Sequence, residues 1–171
     1  MTDTTRFKTL VLPHLDAAYN LARWLTRDVH DAEDVVQDAC VRAIKYIGSL
    51  KGDDARAWFL TIVRNAFYDW CKRNRPMEIV QDDGTAIESA VAPDAVDPHQ
   101  AVLRSAEAKA LADAVEALPV AYREVLILRE LEELSYKEIA RVADIPIGTV
   151  MSRLSRARDL LQRSPVLHAV N

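Results

Sequence analysis

Glycine is scarce in this chain, four in 171 residues, and no stretch alternates valine or isoleucine with polar residues over the length of a strand. That combination excludes a β-rich domain and predicts helices throughout. Cysteine is nearly absent: Cys40 and Cys71 form no C-x-x-C pair and have no histidine at ligand spacing, so both read as reduced thiols packed in helices. The four histidines, His14, His30, His99 and His168, are scattered, and no nucleophile–base pair or metal-spaced cluster is visible. The expectation is therefore a protein with no catalytic residues, no metal and no cofactor. No uncharged apolar run approaches bilayer-spanning length, and MTDTTRFKTL lacks an apolar core after a basic start. Neither membrane insertion nor export is expected, which leaves the cytoplasm.

What is present is apolar and unevenly charged. Half of the residues are hydrophobic, enough for one domain or two small ones. The net charge of −4 conceals three zones: residues 1–75 carry 12 basic and 10 acidic side chains, residues 76–100 carry six acids and no base, and residues 101–171 carry 10 of each. Acid is concentrated in the middle, so the overall charge says little about what the two ends bind.

The most informative stretch is SYKEIARVADIPIGTVMSRLSRAR, residues 135–158, which reads as two short helices broken by a tight turn, the outline of a helix-turn-helix. Ser135 and Glu138 have capping-box spacing, and Ile139, Ala140 and Ala143 supply an apolar stripe. Asp144 tolerates the left-handed backbone of a tight corner, Ile145 can plug the angle, and Pro146 suits the start of the second helix. At about 100° per residue, Val150, Leu154, Ala157 and Leu161 share one inward arc of that helix. The opposite arc holds Gly148, Thr149, Ser152, Ser155 and Arg156. Small hydroxyls beside an arginine let a helix approach a major-groove floor, with Arg153 and Arg158 able to meet phosphates. The alternative is an amphipathic helix with a solvated basic face; three arginines and no acid between positions 146 and 158 tilt the balance toward DNA.

In the first half, Leu10, Leu15, Ala18, Leu21, Ala22 and Leu25 predict a short helix or turn, interrupted at Pro13, leading into a longer helix. A second helix is predicted from a cap at Asp31, burying Val35, Val36, Ala39, Ala43 and Ile47. Its other side places Asp34, Gln37, Asp38, Val41 and Lys45 together, two acids and an amide around an exposed valine, which suggests a protein-binding face or an ordinary solvated one. After a loop capped by Asp53 or Asp54, a third helix predicts a core stripe of Phe59, Ile62, Val63, Ala66, Phe67 and Trp70. Its far side presents Trp58, Thr61, Arg64, Asn65, Tyr68 and Lys72, followed by Arg73 and Arg75. Aromatic rings that stack on bases, an amide for a base edge and cations for the backbone are what single-stranded nucleic acid requires. Alternatively, Trp58 and Tyr68 bury against neighbouring helices.

Residues 76–100, with three prolines and no base, read as a linker. Its acids either mimic nucleic acid in a basic path or merely solvate a spacer. Helical periodicity resumes with Val102, Ala106, Ala110, Leu111, Val115 and Leu118 until Pro119, and a helix over residues 120–133 offers Val125, Leu126 and Leu128 as support for the helix-turn-helix. The last residues, 164–171, look frayed.

DAEDVVQDACVRAIK (residues 31–45), WFLTIVRNAFYDWCKR (58–73), LPVAYREVLILRELEELSYKEIA (118–140) and IPIGTVMSRLSRAR (145–158), in this order and spacing, resemble the extracytoplasmic-function sigma factors of bacterial RNA polymerase. The resemblance implies an all-α chain of two small helical domains: region 2 over residues 1–75, a flexible acidic linker over 76–100, and region 4 over 101–171. Region 2 would grip the β′ clamp helices through Glu33, Asp34, Gln37, Asp38 and Val41. It would melt the −10 element through Ser49, Lys51, Trp58, Thr61, Arg64, Asn65, Tyr68 and Lys72, with the loop over residues 49–54 capturing a flipped base. Region 4 would sit on the β flap and read the −35 element through Lys137, Thr149, Met151, Ser152, Arg153, Ser155 and Arg156. Family members often carry a basic residue where Met151 stands and a larger one where Ser155 stands, so the −35 sequence read here does not follow from relatives. The partners implied are core RNA polymerase, promoter DNA and an anti-sigma factor, with no appended C-terminal sensor.

Three rivals make distinct demands. An enzyme lacks support in the scattered histidines. A helix-turn-helix regulator that is not a sigma subunit, such as a response regulator, would need an α/β receiver, whereas the first half reads as helical. An adaptor that binds polymerase without melting DNA would not need the aromatic and basic side of the third helix.

Overall fold

A computed structural model describes residues 2–78 and 106–165, and among these the chain is helical with no strand. The predicted linker opens with a 3-10 turn, Pro76–Glu78, and its other acids, Asp82, Asp83, Glu88, Asp94 and Asp97, lie outside the described residues, as do the residues after 165. A short helix α1 (Asp3–Arg6), a π-helical turn that buries Phe7 and Val11, and a 3-10 turn containing Pro13 lead into α2 (Leu15–Thr26). Helix α2 buries Ala18, Leu21, Ala22 and Leu25, the arc expected from its periodicity. Helices α3 (Val29–Tyr46) and α4 (Ala55–Asn74) complete the first half, and all three pack on one another.

The start of α3 differs from expectation. Asp28, not Asp31, is the N-cap: its carboxylate accepts from the Asp31 backbone N–H at 2.9 Å. The chain leaves α2 through Arg27 in the left-handed region (φ 61°), and Thr26, wholly buried, donates its hydroxyl to the Ala22 carbonyl at 2.8 Å. That sharp exit leaves Asp28 extended and in capping position, so the helix begins earlier. Asp31 serves instead to hold Arg75 at 2.9 Å, pinning the end of α4 to the start of α3.

Helix α4 carries the largest core side chains of this half, Phe59 and Phe67, both wholly buried. The expected stripe is modified on both sides: Ile62 and Trp70 are half-buried, whereas Ala57 and Leu60, off the stripe, are buried. The reason is a second neighbour. Helix α4 packs on α2 and α3 along one side and on the second half along another.

The second half begins with α5 (Ala106–Glu116), which turns Ala110, Ala114 and Val115 inward; Ala106 and Leu111, expected in the stripe, are exposed. Helix α6 (Val120–Glu130) is buried without a break from Val120 to Leu128, on every face. It ends at Glu130, short of the predicted 133, and Glu133 lies in the left-handed region (φ 56°). A lone amphipathic helix exposes one side; α6 does not, because α7 (Tyr136–Ala143) and α8 (Ile147–Gln162) pack on one flank and α2 on the other. The buried hydrophobic residues of both halves consequently form one continuous core. Among the described residues, no helix is long and apolar enough to cross a membrane.

Candidate nucleic-acid interface

The helix-turn-helix forms from the local signals in its sequence. Ser135 Oγ accepts from the Glu138 backbone N–H at 3.1 Å, while the Glu138 carboxylate accepts from the Ser135 N–H at 3.0 Å, a closed capping box. Helix α7 ends at Asp144 in the left-handed region (φ 54°), and Ile145 packs against the core in the corner. Pro146 is the N-cap of α8, in extended conformation. Val150, Leu154 and Ala157 are buried and Leu161 is half-buried, so the opposite arc faces outward as predicted.

On that outward arc, Met151, Ser152, Ser155 and Arg156 are exposed and line one open surface with Arg158, Asp159 and Gln162. Thr149 is half-buried at its start, and Lys137 is exposed on α7. The methionine is 52% exposed, an apolar group among the polar side chains of this arc. The flanking arginines differ from each other. Arg158 donates to Glu130 at 2.9 Å across the surface, and Arg153 is half-buried, close enough to Tyr68 for its charge to act on the phenol.

The second candidate face lies on α4 and the loop before it. The loop leaves α3 through a 3-10 turn (Ile47–Ser49), buries Leu50 and turns at Gly52 (φ 75°), where a side chain would be strained. Ser49 and Lys51 are exposed in it, and Trp58 Nε1 donates to Ser49 Oγ at 3.3 Å, tying the indole to the loop. Asn65 and Lys72 are exposed; Thr61 turns its hydroxyl back to the Ala57 carbonyl at 2.8 Å.

Arg64 and Tyr68, expected on the same face, are engaged by the other half. The Arg64 Nε–H donates to Glu124 of α6 at 2.5 Å, and the Tyr68 hydroxyl donates to the other Glu124 oxygen at 2.9 Å. The arginine also lies over the tyrosine ring, 4.3 Å from its centroid. Burial, together with the neighbouring Glu124 carboxylate, pushes the Tyr68 phenol well above its ordinary value. Sequence reasoning missed Glu124. A signal for it exists, a charged pair, Arg123 and Glu124, inside an otherwise apolar run, but its partner sits 60 positions away.

A third surface lies on α3. Glu33, Asp34, Gln37 and Val41 are exposed, the valine at 62%. Asp38 is half-buried because it shares Arg42, at 3.0 Å, with Asp69 of α4, at 2.8 Å. Ile44, three residues on, is also exposed and extends the apolar character beyond the lone valine that the sequence suggested. Among the described residues, no group of three or more His, Cys, Asp or Glu side chains is arranged to hold a metal ion. Burial raises the Cys40 thiol pKa, and Cys71 lies in the core.

Residues 10–76 match the Sigma-70 region 2 family and residues 108–161 match Sigma-70 region 4. The chain is 30% identical over 167 residues to the ECF RNA polymerase sigma factor SigW of Bacillus subtilis, covering 94% of this chain and 89% of that protein. It is 32% identical to the RNA polymerase sigma-H factor of Pseudomonas aeruginosa, over 95% of this chain and 87% of that one. Among solved structures, the sigma factor RpoE of Bartonella quintana in complex with the anti-sigma factor NepR superposes with a TM-score of 0.72 at 34% identity, covering 96% of this chain and 98% of that chain. CnrH in complex with the cytosolic domain of CnrY superposes at 0.65, with 25% identity over 96% and 89% of the two chains. With the region 2 and region 4 matches in this order and relatives of this likeness along nearly its whole length, the chain belongs to the extracytoplasmic-function sigma factors, transcription initiation factors that direct RNA polymerase to promoters.

Proposed function

We propose that the work is divided among three surfaces, with region 2 over residues 1–75 and region 4 over 101–171. Met151, Ser152, Ser155 and Arg156 on α8, flanked by Lys137, Thr149 and Arg153, read the −35 duplex. Ser49, Lys51, Trp58, Thr61, Arg64, Asn65, Tyr68 and Lys72 hold the melted −10 strand. Glu33, Asp34, Gln37, Asp38 and Val41 dock on the clamp of core polymerase. The observation that carries the division is the pattern of exposure: small and cationic side chains face outward on α8, and an acidic face with an exposed valine lies on α3. Acids around an apolar centre suit a basic protein partner, whereas hydroxyls and arginines suit DNA.

The chain is a binding subunit rather than an enzyme on this reading, works in the cytoplasm where its polymerase is, and is held silent by an anti-sigma factor. One of its structural relatives, RpoE of Bartonella quintana, was solved with such a partner, which supports the last point. Asp34→Arg combined with Gln37→Ala tests the clamp assignment, since both side chains are exposed and the fold does not depend on them. Binding to core polymerase should fall with helicity intact; unchanged affinity would remove α3 from the interface.

A further inference from the structure

The outward arc of α8 is not uniformly polar. Ile147, the first residue of the helix, and Met151, one turn on, are 46% and 52% exposed and share a face, since residues four apart stack along a helix. Beside them stands Gly148, where a side chain would begin with no atom of the described residues within 4 Å, so packing inside the chain does not require the glycine. The hydroxyls of this turn are committed elsewhere: Thr149 is half-buried, and the Ser152 hydroxyl donates to the Thr149 carbonyl at 3.1 Å. The start of the helix therefore offers a partner an apolar ridge beside an open notch. Hydrogen-bonding side chains that reach outward follow it, at Ser155 and Arg156.

We propose that Met151, backed by Ile147, reads a thymine through its 5-methyl group, an inference that rests on the assignment of α8 to the −35 duplex. In a helix-turn-helix the N-terminal end of the second helix enters the major groove and meets the base edges. Of the features a base pair presents there, the thymine methyl is the apolar one; the rest are donors and acceptors. A thioether donates nothing and accepts weakly. It gains from the methyl what burial of apolar surface gives, and it leaves the O6 and N7 of a guanine desolvated and unpaired. The side chain thus selects in both directions, toward thymine and against guanine. Solitary exposed apolar residues are ordinary on protein surfaces. Met151 differs in having a second one turn away and a notch at Gly148 that admits a base closely. The same helix carries Arg153, Arg156 and Arg158 with no acid before Asp159, a charge that suits DNA rather than an apolar protein partner.

The test uses the full chain bound to core RNA polymerase and a pool of random-sequence linear duplexes. Sequencing of the bound fraction gives the preferred upstream element. Each thymine in it, on either strand, is then replaced singly by deoxyuridine, which keeps the base pairing and removes only the methyl. For the wild-type chain at least one replacement should weaken binding about fourfold, the worth of one buried methyl-sized group. With Met151→Ala, at unchanged helicity by circular dichroism, the thymine duplex should bind as weakly as the deoxyuridine duplex binds wild type, and the replacement should have no further effect, the signature of a direct pair. Met151→Arg should move the preference at that position to a G·C pair. The methyl reading is overturned, with α8 left as the −35 reader, if no deoxyuridine matters to wild type, if it matters equally to Met151→Ala, or if Met151→Arg keeps the thymine. Recovery of no preferred upstream sequence overturns the assignment of α8 and the methyl reading with it.

Discussion

The two faces proposed to meet DNA are in opposite conditions. The outward arc of α8 is open, with Ser152, Ser155 and Arg156 exposed, whereas on α4 both Arg64 and Tyr68 are already bonded to Glu124 of the other half. The difference follows from packing. Helix α8 is needed by the core through one arc only, Val150, Leu154 and Ala157, so among the described residues its other side is left uncovered. Helix α4 has neighbours on two sides, α2 and α3 on one and α7 on the other. On the proposed assignment, α8 presents its side chains to a −35 duplex without a protein partner in front of them, whereas Arg64 and Tyr68 of α4 already have one in Glu124.

The largest effect that would sharpen this contrast is in the shared core. Leu128 on α6 is wholly buried, and Leu128→Ala should cost about 2–5 kcal/mol. Because α6 packs on α2 as well as on α8, both halves should melt in one calorimetric transition that moves down as a unit. Two separate transitions, with only one displaced, would mean that the halves are coupled too weakly for either face to depend on the other.

Next in size is Arg156→Ala on the open face. It should lose about 1–3 kcal/mol of binding to the −35 duplex if the guanidinium makes a bidentate base contact, with the radius of gyration unchanged. Titration against scrambled duplexes checks this. A loss equal on all sequences would convert the residue to a phosphate contact and leave the specificity of α8 to its hydroxyls and Met151.

Asp28→Ala disturbs the first half without touching either face and should cost about 1 kcal/mol in urea unfolding, the usual worth of an N-cap. The Asp31 backbone N–H bonded to Asp28 holds its carboxyl below the usual aspartate range. The stabilisation is therefore complete above the ordinary value of about 3.9 and is lost as the pH falls from there through the lower folded value. A difference between variant and wild type that persists unchanged at strongly acidic pH would contradict the cap.

The smallest effect belongs to Arg158→Ala. Its pair with Glu130 is exposed on both sides, so stability should change by less than about 1 kcal/mol, an effect that vanishes at high salt. If duplex binding also drops by no more than this, the pair is a surface contact and Arg158 is not a phosphate clamp.

Much of this architecture is legible in the order of the residues. The capping box of Ser135 and Glu138, the left-handed corner at Asp144 and the buried arc of α8 are all set by residues within four positions of one another. Helical periodicity and capping are local physics, and local physics is written in the sequence. The start of α3 is not legible in the same way, because Asp28 and Asp31 are equally good caps by residue type. Choosing between them takes the direction in which the chain leaves α2, which Thr26 and Arg27 set by bonding back to that helix.

The inward arcs of α2, α3 and α8 and the helix-turn-helix were therefore determined by the sequence alone, since each depends on the spacing of side chains along one helix. That α6 is buried on every face, and that its Glu124 takes Arg64 and Tyr68 out of solvent, was decided only by tertiary structure. An amphipathic pattern says that a face must be covered or solvated but not by what. A carboxylate 60 residues away becomes the partner of an arginine only when two cores merge and leave the pair no water to turn to.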